Sequence, residues 1–379
     1  MTPTAEPPVA VHKAYDRLRA DHAKREAALE ARLDALLELG REVESPLLQE
    51  LKPTIVLALK WKFDYLAKTL ASPFELEADV AYWHGVLEML RSLAGQRWFA
   101  RPEAAAAAAA DPWRRTAEGF DLGWTTTTEG ERFAASREIA RERLDQILEM
   151  LGGPAWINGK EILDSGCGPG RYIDLLRALG PKRIVGLDQG ERLVTVLRKR
   201  FRNDALIEIV RGTCERLECP DASFDLVISN GVLHHTPSDL QTMLRDHARV
   251  LRPGGAIFIM LVGKGGLELK MWKFVRDFLY DVPLRSMLER FGPRVSPLRL
   301  QGIVDHMYGE YQETGREAFE GWCEGLFTRI ERVPGVAGLD VTPEVYRDDP
   351  YFAERFGCGQ LRYLCHKGPS RSAQRGGAR

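Results

Sequence analysis

Two hydrophobic rhythms divide the chain. Over residues 10–43, Tyr15 and Leu18 stand three apart, and Leu29, Leu33, Leu36 and Leu37 continue the helical spacing beyond a mostly polar stretch that holds His22. Steps of three and four put side chains on one face of a helix, so this stretch predicts a long, partly exposed helix. Pro46 ends the pattern, and Pro53 can open the next helix, carried by the apolar run from Thr54 to Leu70. Val80, Trp83, Val86, Leu87, Met89 and Leu90 predict a further helix between Glu75 and Leu93.

Beyond residue 160 the rhythm shortens. The runs 161–164, 183–187, 207–210, 224–230 and 256–262 are brief and apolar, the mark of strands buried on both faces. The stretch Arg171–Leu179, with apolar Ile173, Leu175, Leu176 and Leu179, predicts a helix between the first two. Strand, helix and strand in alternation predict a doubly wound parallel α/β sheet. The alanine run at 104–110 is low in complexity yet has high helix propensity. Asp111-Pro112 breaks it, which places a boundary near residue 115 between a helical region, 1–115, and an α/β domain, 116–367. The tail 368–379 has no apolar anchor and is expected to be disordered.

Composition narrows the classes of partner. The 379 residues carry 53 Lys and Arg against 54 Asp and Glu, a formal net charge of -1. Nonspecific nucleic-acid binders show a basic excess, so that class is disfavoured. The local basic run Arg198–Arg202 reads as a solvated helix face. No run of eighteen apolar residues offers a membrane span, and the first residues lack a signal-peptide core. Six cysteines (Cys167, Cys214, Cys219, Cys323, Cys358 and Cys365) are scattered, without zinc-knuckle spacing. Free thiols in a reducing cytoplasm, and no metal site, are the expectation.

The chemistry begins at Asp164-Ser165-Gly166-Cys167-Gly168-Pro169-Gly170, a strand running into a glycine-rich turn and then a helix. Glycine permits positive φ and close approach of a ligand to the backbone, and amides at a helix start suit an anionic group. Such a turn alone fits several nucleotide ligands. Asp188 stands at the end of the second strand, eighteen positions beyond Gly170. An acid there suits the two hydroxyls of a ribose, as it does in dinucleotide dehydrogenases. The usual GxGxxG turn of those enzymes is absent, however. Phe224–Asn230 leads into Gly231-Val232-Leu233-His234-His235, and Val250-Leu251-Arg252-Pro253-Gly254-Gly255 closes a helix before the fifth strand.

Taken in order, LDSGCGPGRYIDLL, VGLDQG, PDASFDLVISNGVLHH and RVLRPGG resemble the class I S-adenosylmethionine-dependent methyltransferases, in particular the small-molecule (methyltransferase type 11-like) branch, over about residues 160–263. The resemblance implies a Rossmann-like seven-stranded methyltransferase sheet with helices on both faces. Its last strands would lie at 326–333 and 359–366, which makes 263–325 a helical insertion after the fifth strand that caps the substrate. It also implies S-adenosylmethionine as cofactor. Asp164 and the turn Ser165, Gly166, Cys167, Gly168 and Gly170 would approach the methionine part. Asp188 would take the ribose hydroxyls, with Gln189 beside the adenosine. Thr213 stands where the family often has an acid, so Thr213 or the Cys214 amide would meet adenine. Asn230 would lie near the sulfonium, and 123–133 would close over the cofactor. His235 is the candidate general base, although the family often carries this histidine pair without using it so. In the insertion, His306, Tyr308 and Tyr311 are candidate acceptor contacts. The expected reaction is an SN2 methyl transfer to an oxygen or nitrogen of a small organic acceptor. RNA or protein acceptors and a non-catalytic scaffold are the alternatives. The N-terminal helices, to which this resemblance does not extend, suit packing or a homodimer contact, or a lid over the substrate; no membrane partner is expected.

Overall fold

The computed structural model describes residues 9–42, 46–93, 111–125, 128–291 and 304–369. The alanine run at 104–110 and the tail from 370 onward lie outside them. The chain forms two units. Of the described residues, one comprises those within Met1–Ala106, Leu267–Val282 and Asp349–Arg355, and the other those within Ala107–Gly266, Pro283–Asp348 and Phe356–Arg379.

The larger unit is built on a seven-stranded sheet: β1 (Glu161–Ser165), β2 (Arg183–Asp188), β3 (Ile207–Arg211), β4 (Phe224–Asn230), β5 (Leu251–Val262), β6 (Arg329–Arg332) and β7 (Gln360–His366). Their order is β3-β2-β1-β4-β5-β7-β6. The strands β1 to β5 are parallel, but β7 runs antiparallel to both β5 and β6. The expected seven-stranded sheet is present, and β7 follows β6 in the chain yet inserts between β6 and β5. The turn Arg252–Gly255 bulges from the ladder, because Phe224 pairs with Leu251 and Leu226 with Ala256.

Side chains alternate across each strand, and here both faces are apolar. Ile162, Ile184, Leu226, Ile228 and Phe258 pack with Ala140, Leu144, Ile147, Ile173, Leu176, Val194 and Leu197. These last come from α5 (Gly130–Met150), α6 (Arg171–Leu176) and α7 (Glu191–Phe201). The neighbours Leu163, Val185, Val227, Ile257 and Ile259 face the other way, onto α8 (Leu240–Val250) and the helix Arg316–Cys323. The strand order reverses between β1 and β4, which opens a crevice at the carboxyl ends of the strands.

The smaller unit holds α1 (Val9–Glu42), α2 (Pro46–Lys68), α3 (Leu76–Leu93) and α9 (Leu267–Phe278). Leu29, Leu36, Leu59, Phe63, Val80, Leu87, Val275 and Phe278 form its buried residues. Gly40 allows this packing, since a Cβ there would stand 2.2 Å from the Phe278 ring. Two readings from sequence change here. Pro46 begins α2, and Pro53 sits inside it; the loss of one backbone donor is outweighed by burial of Ile55, Val56, Leu59 and Phe63. The segment 267–282, read as part of a cap on the α/β domain, belongs instead with the N-terminal helices. Lys52, 2% exposed, donates to Asp281 at 2.9 Å, and Lys270 to Glu26 at 2.7 Å. No helix among the described residues is long and apolar enough to cross a membrane.

Buried charge is concentrated in the larger unit. Asp340, 1% exposed, forms ion pairs with Arg143 at 2.7 Å and with Arg362, and its carboxylate accepts from the Val336 amide at 2.9 Å. One acid thus serves two buried guanidinium groups. Asp340→Ala is expected to lower stability by about 3–5 kcal/mol, the usual result of stranding buried charge. Urea unfolding followed by circular dichroism checks this; an unchanged midpoint would show that the arginines find water or another acceptor.

Candidate active site

The glycine turn after β1 is held from below. The Leu187 carbonyl accepts from the amides of Gly166 and Cys167 at 2.8 and 2.9 Å. Gly166, Gly168 and Gly170 have φ of 79°, 51° and 78°, which L side chains rarely adopt. At Gly166 a Cβ would also stand 2.4 Å from Val232. Gly170 serves the start of α6, accepting from the Asp174 amide at 3.0 Å.

Asp188 ties this turn to the one after β2. One carboxylate oxygen accepts from the Gly168 amide and the other from the Gly190 amide, both at 2.9 Å. Two ionised oxygens offer about four acceptor sites, so each retains capacity after those bonds. Burial pushes the Asp188 carboxyl upward, and the Gly190 and Gly168 amides oppose it. Asp121 anchors the next helix: its carboxylate accepts from the Leu193 amide at 3.0 Å.

These turns wall a cavity of about 220 Å³. Its lining includes Gly166, Gly168, Asp188, Gln189, Gly212, Cys214, Asn230, His235, His306 and Tyr311. The sequence-derived set therefore converges, with exceptions. Tyr308 and Thr213 are not in the lining; the Thr213 hydroxyl accepts from the Glu215 amide at 3.1 Å. Ser165 is fully buried, its hydroxyl 2.9 Å from His247 Nε2. His247 Nδ1 donates to the Met243 carbonyl at 2.8 Å, so Nε2 accepts from Ser165. Cys167 points into the core, where its sulfur would stand 3.2 Å from a Cβ on Gly186, and burial raises its thiol well above the ordinary range. Asp164 and Gly170 also lie behind the lining.

Two polar atoms at the strand ends lack partners: Asp164 Oδ2 and Asn230 Oδ1 are buried without hydrogen bonds. Buried polar groups ordinarily find partners, and Asn230 belongs to the cavity lining. Burial pushes the Asp164 carboxyl up to about 7; Arg171 opposes this and Asp188 adds to it. His234, 2% exposed, is held far below the ordinary imidazole range by burial, then by His235 and His306. His235 Nδ1 lies 2.6 Å from the Glu310 carbonyl. A carbonyl only accepts, so Nδ1 carries the proton and Nε2 the lone pair. The Phe120 ring packs edge-on against His235 at 4.7 Å.

Several wall residues escaped the sequence reading. Ala117, Phe120, Asp121 and Trp124 line the cavity from α4 (Pro112–Thr125); their spacing of three, one and three is one helix face and was legible in principle. Arg143, Arg171, Asp305, Leu339 and Gln360 also line it, yet no local pattern marks them. The expected closing segment 123–133 contributes Trp124 alone to the lining, and residues 126–127 fall outside the described ones. The run Arg198–Arg202 is not simply a solvated face: Arg198 donates to the Ile209 carbonyl at 3.0 Å, and Arg200 pairs with Asp174 at 3.2 Å.

Comparison with known proteins agrees with this geometry. Residues 163–259, from β1 into β5, match the family model described as a methyltransferase domain. A protein from Mycolicibacterium smegmatis named "Probable S-adenosylmethionine-dependent methyltransferase" is 35% identical over 204 residues, covering 50% of this chain and 77% of that protein. A ubiquinone biosynthesis O-methyltransferase from Sodalis glossinidius is 33% identical over 202 residues, covering 50% and 78%. An uncharacterized 37.1 kDa protein of transposon TN4556 from Streptomyces fradiae is 36% identical over 125 residues, 32% of this chain and only 35% of that protein. The chain belongs to the class I S-adenosylmethionine-dependent methyltransferases, and S-adenosylmethionine is its cofactor.

A pH dependence follows from Asp164. With its carboxyl near 7 in the ligand-free protein, the neutral form prevails below that pH. An ammonium placed beside it favours the ionised form. Binding of S-adenosylhomocysteine, whose amino-acid end carries an ammonium, is therefore expected to release a proton near pH 6. Affinity should tighten as pH rises towards about 7 and then level off. Titration calorimetry in buffers of different ionisation enthalpy reads the proton directly. A flat profile in the wild type, matching Asp164→Asn, would remove Asp164 from the cofactor site.

Proposed function

We propose that the chain transfers the methyl group of S-adenosylmethionine to an oxygen or nitrogen of a small organic acceptor within this cavity. The observation that carries the reading is the Asp188 carboxylate. It spans two turns at the point where the strand order reverses, each oxygen spending one acceptor site on an amide and keeping capacity for a ribose hydroxyl. The unmet oxygens of Asp164 and Asn230 fit the ammonium and the polarised groups next to the sulfonium, and Gly212 and Cys214 fit the adenine end.

When bound, the cofactor supplies a methyl group already activated by a sulfonium whose departure leaves a neutral thioether. The residues of the chain then have to orient the acceptor and take its proton. Phe120, Trp124 and Tyr311 offer flat apolar walls, which suit a small organic molecule. Orientation of this kind lowers barriers by about 7–11 kcal/mol in favourable cases. His235 takes the acceptor proton at Nε2, because the Glu310 carbonyl fixes the proton on Nδ1. The O-methyltransferase name of a relative covered over 78% of its length supports oxygen as the acceptor atom. Use of Arg198 and Arg200 in internal contacts speaks against RNA as the acceptor.

Two experiments test this reading. Asp188→Ala is expected to weaken S-adenosylmethionine binding by at least about tenfold, the loss of two charge-assisted hydrogen bonds; unchanged affinity by calorimetry refutes the ribose role. His235→Ala is expected to keep cofactor affinity and lose about 10²- to 10⁴-fold in turnover, measured once a screen of small molecules, RNA and protein for methyl mass gain has found the acceptor. Labelling of RNA or protein alone in that screen would discard the small-molecule assignment.

A further inference from the structure

We propose that Arg171 is a carboxylate anchor in the wall of the cavity. Four arginines of the chain are buried among the described residues: Arg143, Arg171, Arg355 and Arg362. Three of them meet an acid. Arg143 and Arg362 share Asp340, and Arg355 pairs with Asp349 at 2.9 Å. Arg171 does not, since no carboxylate of the described residues lies within ion-pair distance of it. Its Nη1 donates to Ser136 Oγ at 3.1 Å, its guanidinium lies 4.8 Å from the centre of the Trp124 ring, and its Nε is buried without an acceptor.

A buried charge with no acid at ion-pair distance is costly in a protein interior, and Asp305 and Asp164 act on Arg171 only from farther away. The Trp124 face compensates it only in part. Burial draws the Arg171 guanidinium below its ordinary range, but arginine remains cationic in proteins. The group faces a cavity rather than solid core. A planar fork of donors, stacked on a ring and short of one partner, matches the two oxygens of a carboxylate.

Two molecules could bring that carboxylate. One is the cofactor, through the amino-acid end of its methionine part. Arg171 opens the helix that follows the glycine turn, and it and Asp164 influence each other electrostatically, so the two would bracket an ammonium and a carboxylate. The other is an acidic acceptor. The choice between them rests on the methyl-transfer reading above, while the anchor itself does not.

The test uses the full chain and three probes in titration calorimetry: S-adenosylhomocysteine, its decarboxylated analogue, and benzoate added to the S-adenosylhomocysteine complex. If the cofactor brings the carboxylate, Arg171→Gln binds S-adenosylhomocysteine about tenfold or more weakly, and the decarboxylated analogue equally well. If the acceptor brings it, cofactor affinity is unchanged and benzoate binding is lost. Arg171→Lys, which keeps charge without the fork, is expected to fall between wild type and Arg171→Gln. The proposal is overturned if Arg171→Gln matches wild type with all three probes, including the case where wild type takes no benzoate. A melting temperature of ligand-free Arg171→Gln at or above that of wild type supports an anchor awaiting its ligand; a clear drop would make Arg171 a structural cation and overturn the proposal. Failure of wild type to bind S-adenosylhomocysteine at all would sink the methyl-transfer reading, and benzoate alone would then decide the anchor.

Discussion

One carboxylate holds the site together. Asp188 accepts from Gly168 on one side and Gly190 on the other, so the turn after β1 and the turn after β2 cannot move independently. Each of the two bonds is charge-assisted. Around it the glycines adopt positive φ, the Leu187 carbonyl fixes two successive amides, and Asp121 secures the helix beyond.

The rest of the sheet explains why that grip sits where it does. Parallel strands with both faces apolar must be covered by helices on both sides, and the clusters around Ile162 and Leu163 show the two layers. Helices leaving in opposite directions from β1 and β4 open the crevice. In its lining the polar atoms Asn230 Oδ1, His234 Nδ1 and Arg171 Nε stand unmet, and behind it so does Asp164 Oδ2. The Asp340 cluster behind Arg143 pairs its charges internally. That pairing sets it apart from Arg171, which has no acid at ion-pair distance among the described residues.

The helical unit follows a different logic. Its helices bury leucine-rich faces and add ion pairs such as that of the buried Lys52 with the half-buried Asp281. The segment Leu267–Val282 joins it although more than 150 residues separate it from α3. Linear sequence order therefore does not delimit this unit, and a boundary drawn at one point along the chain divides it.

The amino-acid sequence by itself determined the strands, the glycine turn, the acid at the end of β2 and the methyltransferase family. Each of these depends on neighbours in the chain: alternation sets burial of a strand, and a turn needs glycine at particular places. Pro53 within α2, β7 inserted between β5 and β6, and the membership of 267–282 were decided by tertiary packing, which local propensity does not encode. The same holds for the side chains. Ser165, Cys167 and Thr213 occupy the right motif yet spend their polar groups or volume elsewhere, on His247, the core and Glu215. Arg171 is legible as a letter after the glycine turn. That it is buried, stacked on Trp124 and without an acid follows only from residues far along the chain being brought, or not brought, to its side.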